Sequence, residues 1–129
     1  MTEHKMPRPT DAELAILRVL WDLGPSTVRQ VHKIIGEDNQ TGYTTTLKLL
    51  QIMMEKGLVL RDETDWPHLY RPTFTEEKTQ KQLLASLLDR AFAGSTGKLV
   101  LRALSTAKVS AKEREEIKRL LDEQEGEAP

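Results

Sequence analysis

Two glycines, Gly42 and Gly57, bracket the stretch that most constrains this chain. The run Tyr43-Thr44-Thr45-Thr46-Leu47-Lys48-Leu49-Leu50-Gln51-Ile52-Met53-Met54-Glu55-Lys56 holds no proline. It reads as one helix of about four turns, begun by a polar cluster and stopped by Gly57 at the C′ position. Leu47, Leu50 and Met54 recur at i, i+3 and i+7, with Leu49 and Met53 beside them, so one broad face is apolar. The other face carries Tyr43, Thr44, Lys48 and Gln51, hydrogen-bonding groups crowded towards the helix N-terminus. A recognition helix needs that arrangement, because its first turns enter the major groove and meet base edges and phosphates. Taken alone, the stretch fits a core helix with a solvated polar face better than it fits a recognition helix. Its neighbours on both sides change that balance.

Upstream, Thr10-Asp11-Ala12-Glu13 is a capping box that starts a helix running to about Asp22. Leu14, Leu17 and Trp21 share a face of it, widened by Ile16 and Leu20. Gly24-Pro25 ends it, and Ser26 is read as the cap of a second helix, with Val28, Val31 and Ile35 inward and an end near Gly36. Residues 1–9, with two prolines and no period, read as a loose arm, and 37–42 as a loop. Downstream, Leu58 to Arg61 and His68 to Pro72 are short β-prone runs joined by the turn-rich Asp62-Glu63-Thr64-Asp65-Trp66-Pro67. Helix, helix, helix, hairpin is the order of a winged helix-turn-helix, with the hairpin as the wing.

The second half of the chain changes character. Thr75 caps a helix with Glu76 and Glu77 in its first turn, where the helix dipole favours acids. It runs to about Ala93 and ends at Gly94, with Leu83, Leu84, Leu87, Leu88 and Phe92 as its apolar set. A shorter helix from Lys98 to Leu104 carries Leu99, Val100, Leu101 and Leu104. Ser110-Ala111-Lys112-Glu113 is another capping box, and the last helix carries Ile117, Leu120 and Leu121 before an acidic, fraying tail from Glu123. Some 55 residues in three helices are too few to bury this much leucine, since a lone domain below about 60 residues has a marginal core. A second copy of the same helices remedies that by forming a two-fold dimer, in preference to packing back on the first domain. The expected fold is therefore mainly α with a small β-hairpin. A winged helix-turn-helix domain occupies residues 1–73, and a helical dimerisation domain occupies residues 74–129.

Composition removes several function classes. The absence of cysteine excludes disulfides, thiolate metal sites and cysteine nucleophiles. No apolar run approaches the roughly 18 residues of a membrane span, so no membrane insertion is expected. No apolar signal region opens the chain, which points to a cytoplasmic protein. His4, His32 and His68 are scattered, none at a metal-protease spacing, and no glycine-rich phosphate loop is present. No catalytic activity, metal or cofactor is expected; His32 reads as a surface or partly buried side chain rather than a ligand. Trp21 reads as core, while Trp66 either packs on the wing base or touches a DNA sugar. Residues 1–73 carry nine Lys and Arg against ten Asp and Glu. A DNA-binding face must then come from where Arg8, Arg29, Lys33, Lys48, Arg61 and Arg71 fall, rather than from bulk charge.

The chain resembles the BlaI/MecI family of bacterial repressors. The likeness is carried by Pro9-Thr10-Asp11-Ala12-Glu13-Leu14-Ala15-Ile16-Leu17 with Leu20-Trp21, and by Tyr43-Thr44-Thr45-Thr46-Leu47 with Glu55-Lys56-Gly57-Leu58-Val59. Leu69-Tyr70-Arg71-Pro72, Gly94-Ser95, Leu99-Val100-Leu101 and the closing stretch from Lys112 to Leu121 extend it over nearly the whole chain. The resemblance implies a cytoplasmic homodimer that represses transcription from a palindromic operator in double-stranded DNA. In members of the β-lactam-resistance type it also implies release by cleavage in the dimerisation domain, signalled by a membrane sensor with a metalloprotease domain. The family's Asn-Phe cleavage bond, just after a Val-Leu pair, falls here at Arg102-Ala103, a departure from the family's residues. The cysteine-rich metal motif of the copper-responsive branch has no counterpart.

Tyr43, Thr44, Thr45, Lys48 and Gln51 are therefore the expected groove contacts, and Arg61, His68 and Arg71 the expected wing or backbone contacts. The competing function is a winged-helix protein-docking module without DNA binding, which the slightly acidic balance favours and the Tyr43 to Gln51 face opposes.

Overall fold

Thr10 starts the first helix by the mechanism its sequence specifies. Its hydroxyl accepts from the Glu13 N–H at 3.2 Å, and Glu13 Oε1 accepts from the Thr10 N–H at 2.9 Å. In this computed structural model, which describes residues 6–39 and 42–126, helix α1 spans Asp11–Leu23. His4 and part of the expected arm, loop and tail lie outside the described residues. The buried stripe of α1 centres on Ile16, Leu17 and Leu20 rather than on Leu14 and Trp21. Trp21 is only partly buried and donates its Nε1–H to the Phe74 carbonyl at 3.0 Å.

Helix α2 spans Val28–Asn39 and so passes through Gly36 instead of ending there. Ser26 is not its cap. Ser26 instead pairs antiparallel with Tyr70, giving and receiving backbone hydrogen bonds at 3.0 and 2.7 Å. Thr27 caps α2 with a capping box of its own: its hydroxyl accepts from the Gln30 N–H at 3.1 Å, and Gln30 Oε1 accepts from the Thr27 N–H at 2.8 Å. The Thr-x-x-Gln spacing was legible, but the neighbouring serine masked it.

Helix α3 spans Tyr43–Lys56. Its buried stripe is Thr46, Leu50 and Met53, with Leu47, Leu49 and Met54 half-buried at its margins, so the apolar face is turned slightly from the expected one. Gly57 adopts the left-handed conformation (φ 84°, ψ 15°) that ends a helix cheaply only at glycine. Strands β1 (Val59–Asp62) and β2 (Leu69–Pro72) pair antiparallel, with Arg61 opposite Tyr70 and Leu60 opposite Arg71. The core joins Ile16, Leu17 and Leu20 of α1 to Val31 and Ile35 of α2, Leu50 and Met53 of α3, and Leu58, Val59 and Tyr70 of the hairpin. Each fully buried aliphatic side chain contributes about 1.5–3 kcal/mol of burial free energy, before the entropy of ordering it.

Helix α4 (Glu76–Phe92) begins at the Thr75 cap, whose hydroxyl accepts from the Lys78 N–H at 3.1 Å. The chain divides into compact units between Ala85 and Ser86, inside α4, where the sequence places a boundary at 73. The first turns of α4 belong with the winged helix because Thr79 is buried and Gln82 Nε2 donates to the Met6 carbonyl at 2.7 Å. In the second unit, α5 spans Thr96–Thr106 and α6 spans Ala111–Gly126. Ser95 caps α5, which lengthens it beyond the expected Lys98 to Leu104, and Ser110 with Glu113 closes the expected capping box on α6.

Candidate nucleic-acid interface

Helix α3 presents a polar stripe because its other stripe is fixed in the core. Thr46, Leu50 and Met53 have no measurable exposure, so the helix cannot rotate about its axis without opening the core. Tyr43, Thr44, Thr45, Lys48 and Gln51 are thereby all held exposed. The first turn of α3 has Gly42 at its cap position and no side-chain cap, which leaves its leading N–H groups facing outward with the positive end of the helix dipole.

The hairpin sorts the expected wing residues onto two faces. Strand residues alternate sides, so Arg61 and Tyr70 lie on the face turned to the helices while Leu60 and Arg71 lie on the outer face. Arg61 and His68 line a cleft with Thr27, Arg29, Tyr43, Leu47 and Trp66. Arg71, exposed on the outer side, is not part of that cleft. The structure thus brings Tyr43, Arg61 and His68 together and sets Arg71 apart.

Arg61 does not stand unopposed. Its Nε donates to Glu63 Oε2 at 2.6 Å, and Tyr70 lines the same cleft. The tyrosine and then the glutamate hold its pKa above the ordinary arginine value. The turn between the strands is shaped by Asp62, whose carboxylate accepts from the Thr64 N–H at 2.9 Å. Bonds from the Thr64 hydroxyl and N–H hold the Asp62 pKa below the usual aspartate range. At the tip, Trp66 is 82% exposed and its ring stands edge-on to His68, with centroids 4.7 Å apart. Trp66 therefore leans on a wing residue while presenting most of its surface to solvent.

The model of the penicillinase repressor family matches residues 9–123. The chain belongs to that family. Penicillinase repressors are transcriptional repressors, not enzymes. A Mycobacterium tuberculosis protein named transcriptional regulator BlaI is 31% identical over 122 residues, covering 94% of this chain and 88% of the relative. A Bacillus licheniformis penicillinase repressor is 24% identical over 119 residues, covering 92% of this chain and 93% of the relative. The fold resembles the solution structure of the Bacillus licheniformis BlaI monomeric form in complex with the blaP half-operator. That likeness has a TM-score of 0.51 at 23% identity and covers 57% of this chain and 89% of that one.

In this chain, sequence reasoning missed Thr27 and Arg29 as neighbours of Arg61 and His68 across the cleft. The Thr27 capping box was the available signal, since it fixes where α2 begins and hence where Arg29 projects.

Proposed function

We propose that this repressor lays α3 in the major groove of operator DNA, with Tyr43, Thr44, Thr45, Lys48 and Gln51 at base edges and phosphates. The observation that carries this reading is the exposed polar stripe of α3, locked in place by the fully buried Thr46, Leu50 and Met53 behind it. Arg61 and His68 then follow the DNA backbone from the cleft side of the wing. Arg71 meets DNA only where the backbone passes the outer face of the hairpin. Lys48, Arg29 and Lys33 are exposed and form no ion pair among the described residues, which leaves them available for phosphates. These few cations supply the local positive charge that the acidic overall balance lacks.

The repressor acts as a homodimer on this reading. None of the expected dimerisation residues, Leu83, Leu84, Leu87, Leu88, Phe92, Leu99, Leu101, Leu104, Ile117, Leu120 and Leu121, is buried within the single chain. Helices α5 and α6 bury no residue of their own, and Leu101 remains 71% exposed. Apolar surface left open in this way is the mark of an unfilled interface. A monomer on a half-operator, as in the Bacillus licheniformis complex, is half of what a two-fold operator accepts, and pairing joins the two binding events into one.

Release by cleavage at Arg102-Ala103 in the cytoplasm, following a signal from a membrane sensor with a metalloprotease domain, is the corresponding mode of induction. Both residues are exposed but lie inside α5. A protease takes its substrate extended, so cleavage there requires α5 to open first. The family's own bond carries different side chains, so the protease must also accept arginine and alanine.

A gel shift across a salt series, with the DNA upstream of the chain's own gene beside unrelated DNA of equal length, tests the central reading. Salt-sensitive and sequence-selective binding is expected. Retention of neither DNA at low salt would favour the protein-docking function, and equal retention of both would place the operator elsewhere.

A further inference from the structure

His32 of α2 reaches the first turn of α3. Its ring stands edge-on to that of Tyr43, with centroids 5.5 Å apart and planes at 81°. Its Nδ1 lies 3.2 Å from the Thr46 hydroxyl. That hydroxyl is fully buried and donates to the Gly42 carbonyl at 3.4 Å. A hydroxyl has one hydrogen to give, so the arrangement is complete with the hydrogen of the imidazole on Nδ1 and Thr46 accepting it. His32 therefore touches both the first residue of α3 and the threonine that anchors its first turn.

Gly36 makes room for this contact. A methyl group on Gly36 would lie 2.4 Å from His32 Cε1 and 2.7 Å from Nδ1, distances at which the ring must shift. Glycine inside a helix is otherwise a poor choice. Its place in α2 is explained by the imidazole that occupies the space a side chain would take.

We propose that His32, seated over Gly36, is a positioning residue for operator recognition, which orients the Tyr43 ring and the first turn of α3 for DNA. The inference rests on the reading of Tyr43 as a DNA contact. His32 acts through Tyr43 and touches no DNA itself. Tyr43 is 45% exposed, and the imidazole edge limits the orientations its ring can take before DNA arrives. A side chain ordered in advance loses less freedom on binding.

The test uses the full-length chain and the duplex that the wild-type protein enriches from sheared DNA of its source genome, followed by fluorescence anisotropy. Gly36→Ala is the informative variant, because alanine strengthens a helix interior while displacing the imidazole. The expected result is an unchanged or raised melting temperature together with an affinity reduced about threefold to tenfold, the range an aromatic pair carries. His32→Ala should show a similar loss, and His32→Phe, which keeps a ring edge against Tyr43, should recover most of it. The double variant Gly36→Ala with Tyr43→Ala should bind no more weakly than Tyr43→Ala alone. Unchanged affinity in both Gly36→Ala and His32→Ala, with Tyr43→Ala weakened, overturns the positioning role and leaves the operator reading intact. Losses that multiply in the double variant overturn it as well. Should Gly36→Ala not fold, His32→Ala with Tyr43→Ala carries the same comparison. Enrichment of no duplex, or full binding by Tyr43→Ala, is instead a failure of the underlying reading and removes the role in recognition. In that case the aromatic proton shifts of Tyr43 in the free chain, displaced by Gly36→Ala, still register the contact.

Discussion

Glu13 Oε1 accepts from Lys56 Nζ at 2.7 Å, joining the first turn of α1 to the last turn of α3. Glu13 is 3% exposed and lies on the same stripe of α1 as Ile16, Leu17 and Leu20. A carboxylate in that place needs a cation, and Lys56 supplies it from the surface. Burial pushes the Glu13 pKa up, but the Lys56 ammonium and the Thr10 N–H and hydroxyl more than offset it, and the net shift is downward. Lys56→Met should cost about 1–3 kcal/mol, because it strands a buried acceptor without its cation. The lowered folded-state pKa means the unfolded chain binds the proton more readily. The contribution of the pair is then complete above the ordinary glutamate range and is lost as pH falls through that range towards the folded value. Urea midpoints of wild type and Lys56→Met should stand apart at neutral pH and draw together in acid. A constant gap at every pH would show that the cost of the substitution is packing rather than charge.

If Arg61 follows the DNA backbone as proposed, Glu63 competes with a phosphate for its guanidinium. In the free chain Arg61 is engaged by Glu63, so a phosphate gains Arg61 only as Glu63 withdraws. Glu63→Gln removes the competing charge and leaves the strand pairing of Arg61 with Tyr70 in place. Operator binding should tighten severalfold, and the log–log salt slope should steepen by up to about 0.9 if one more phosphate is neutralised. Anisotropy titrations across a salt series measure both quantities. Weaker binding would mean that Glu63 holds Arg61 in its working orientation.

Helix starts were legible wherever a capping residue had one interpretation, as at Thr10, Thr75 and Ser110, because the bond involved spans three residues. At Ser26 and Thr27 two adjacent residues could cap, and the choice was made by a strand pairing with Tyr70, a residue far along the chain. The exposed stripe of α3 was readable from its polar residues, and Leu50 and Met53 of its partner stripe from their apolar character, but Thr46 was not, since it counts as polar yet is buried against His32. The faces of the wing depended on register: Arg61 and Arg71 look equivalent in sequence, and only the pairing of Arg61 with Tyr70 puts them on opposite sides. Likewise α4 reads as the start of a second domain, while Gln82 ties its first turns to Met6.

Lys48 is exposed on the polar stripe of α3 and forms no ion pair among the described residues. Its loss should therefore leave the fold unaltered. Lys48→Ala should weaken operator binding, reduce the salt slope by about 0.9 for one lost phosphate, and affect related and unrelated DNA alike. Gln51→Ala should behave differently if it meets a base edge, costing about 1–3 kcal/mol on the operator and little on unrelated DNA. Lys48→Ala binding as tightly as wild type would show that α3 is placed wrongly on the DNA.

Leu87 in α4 and Leu120 in α6 are 43% and 57% exposed in the single chain. A polar group at either position is tolerated by an isolated chain, because neither side chain is needed for its core. In a dimer that covers them, an aspartate is forced into an apolar contact without a partner, which costs several kcal/mol unless the chains separate. Leu87→Asp and Leu120→Asp should therefore give monomers by light scattering, with helix content retained by circular dichroism. Such monomers should still bind a single half-site with unaltered strength. Their affinity for a site with two halves should fall about a hundredfold or more, because the second binding event is no longer intramolecular. A full dimer in both variants would place these leucines away from the subunit contact. The apolar face of α4 and α6 would then need another partner, since neither side chain is buried by the chain's own fold.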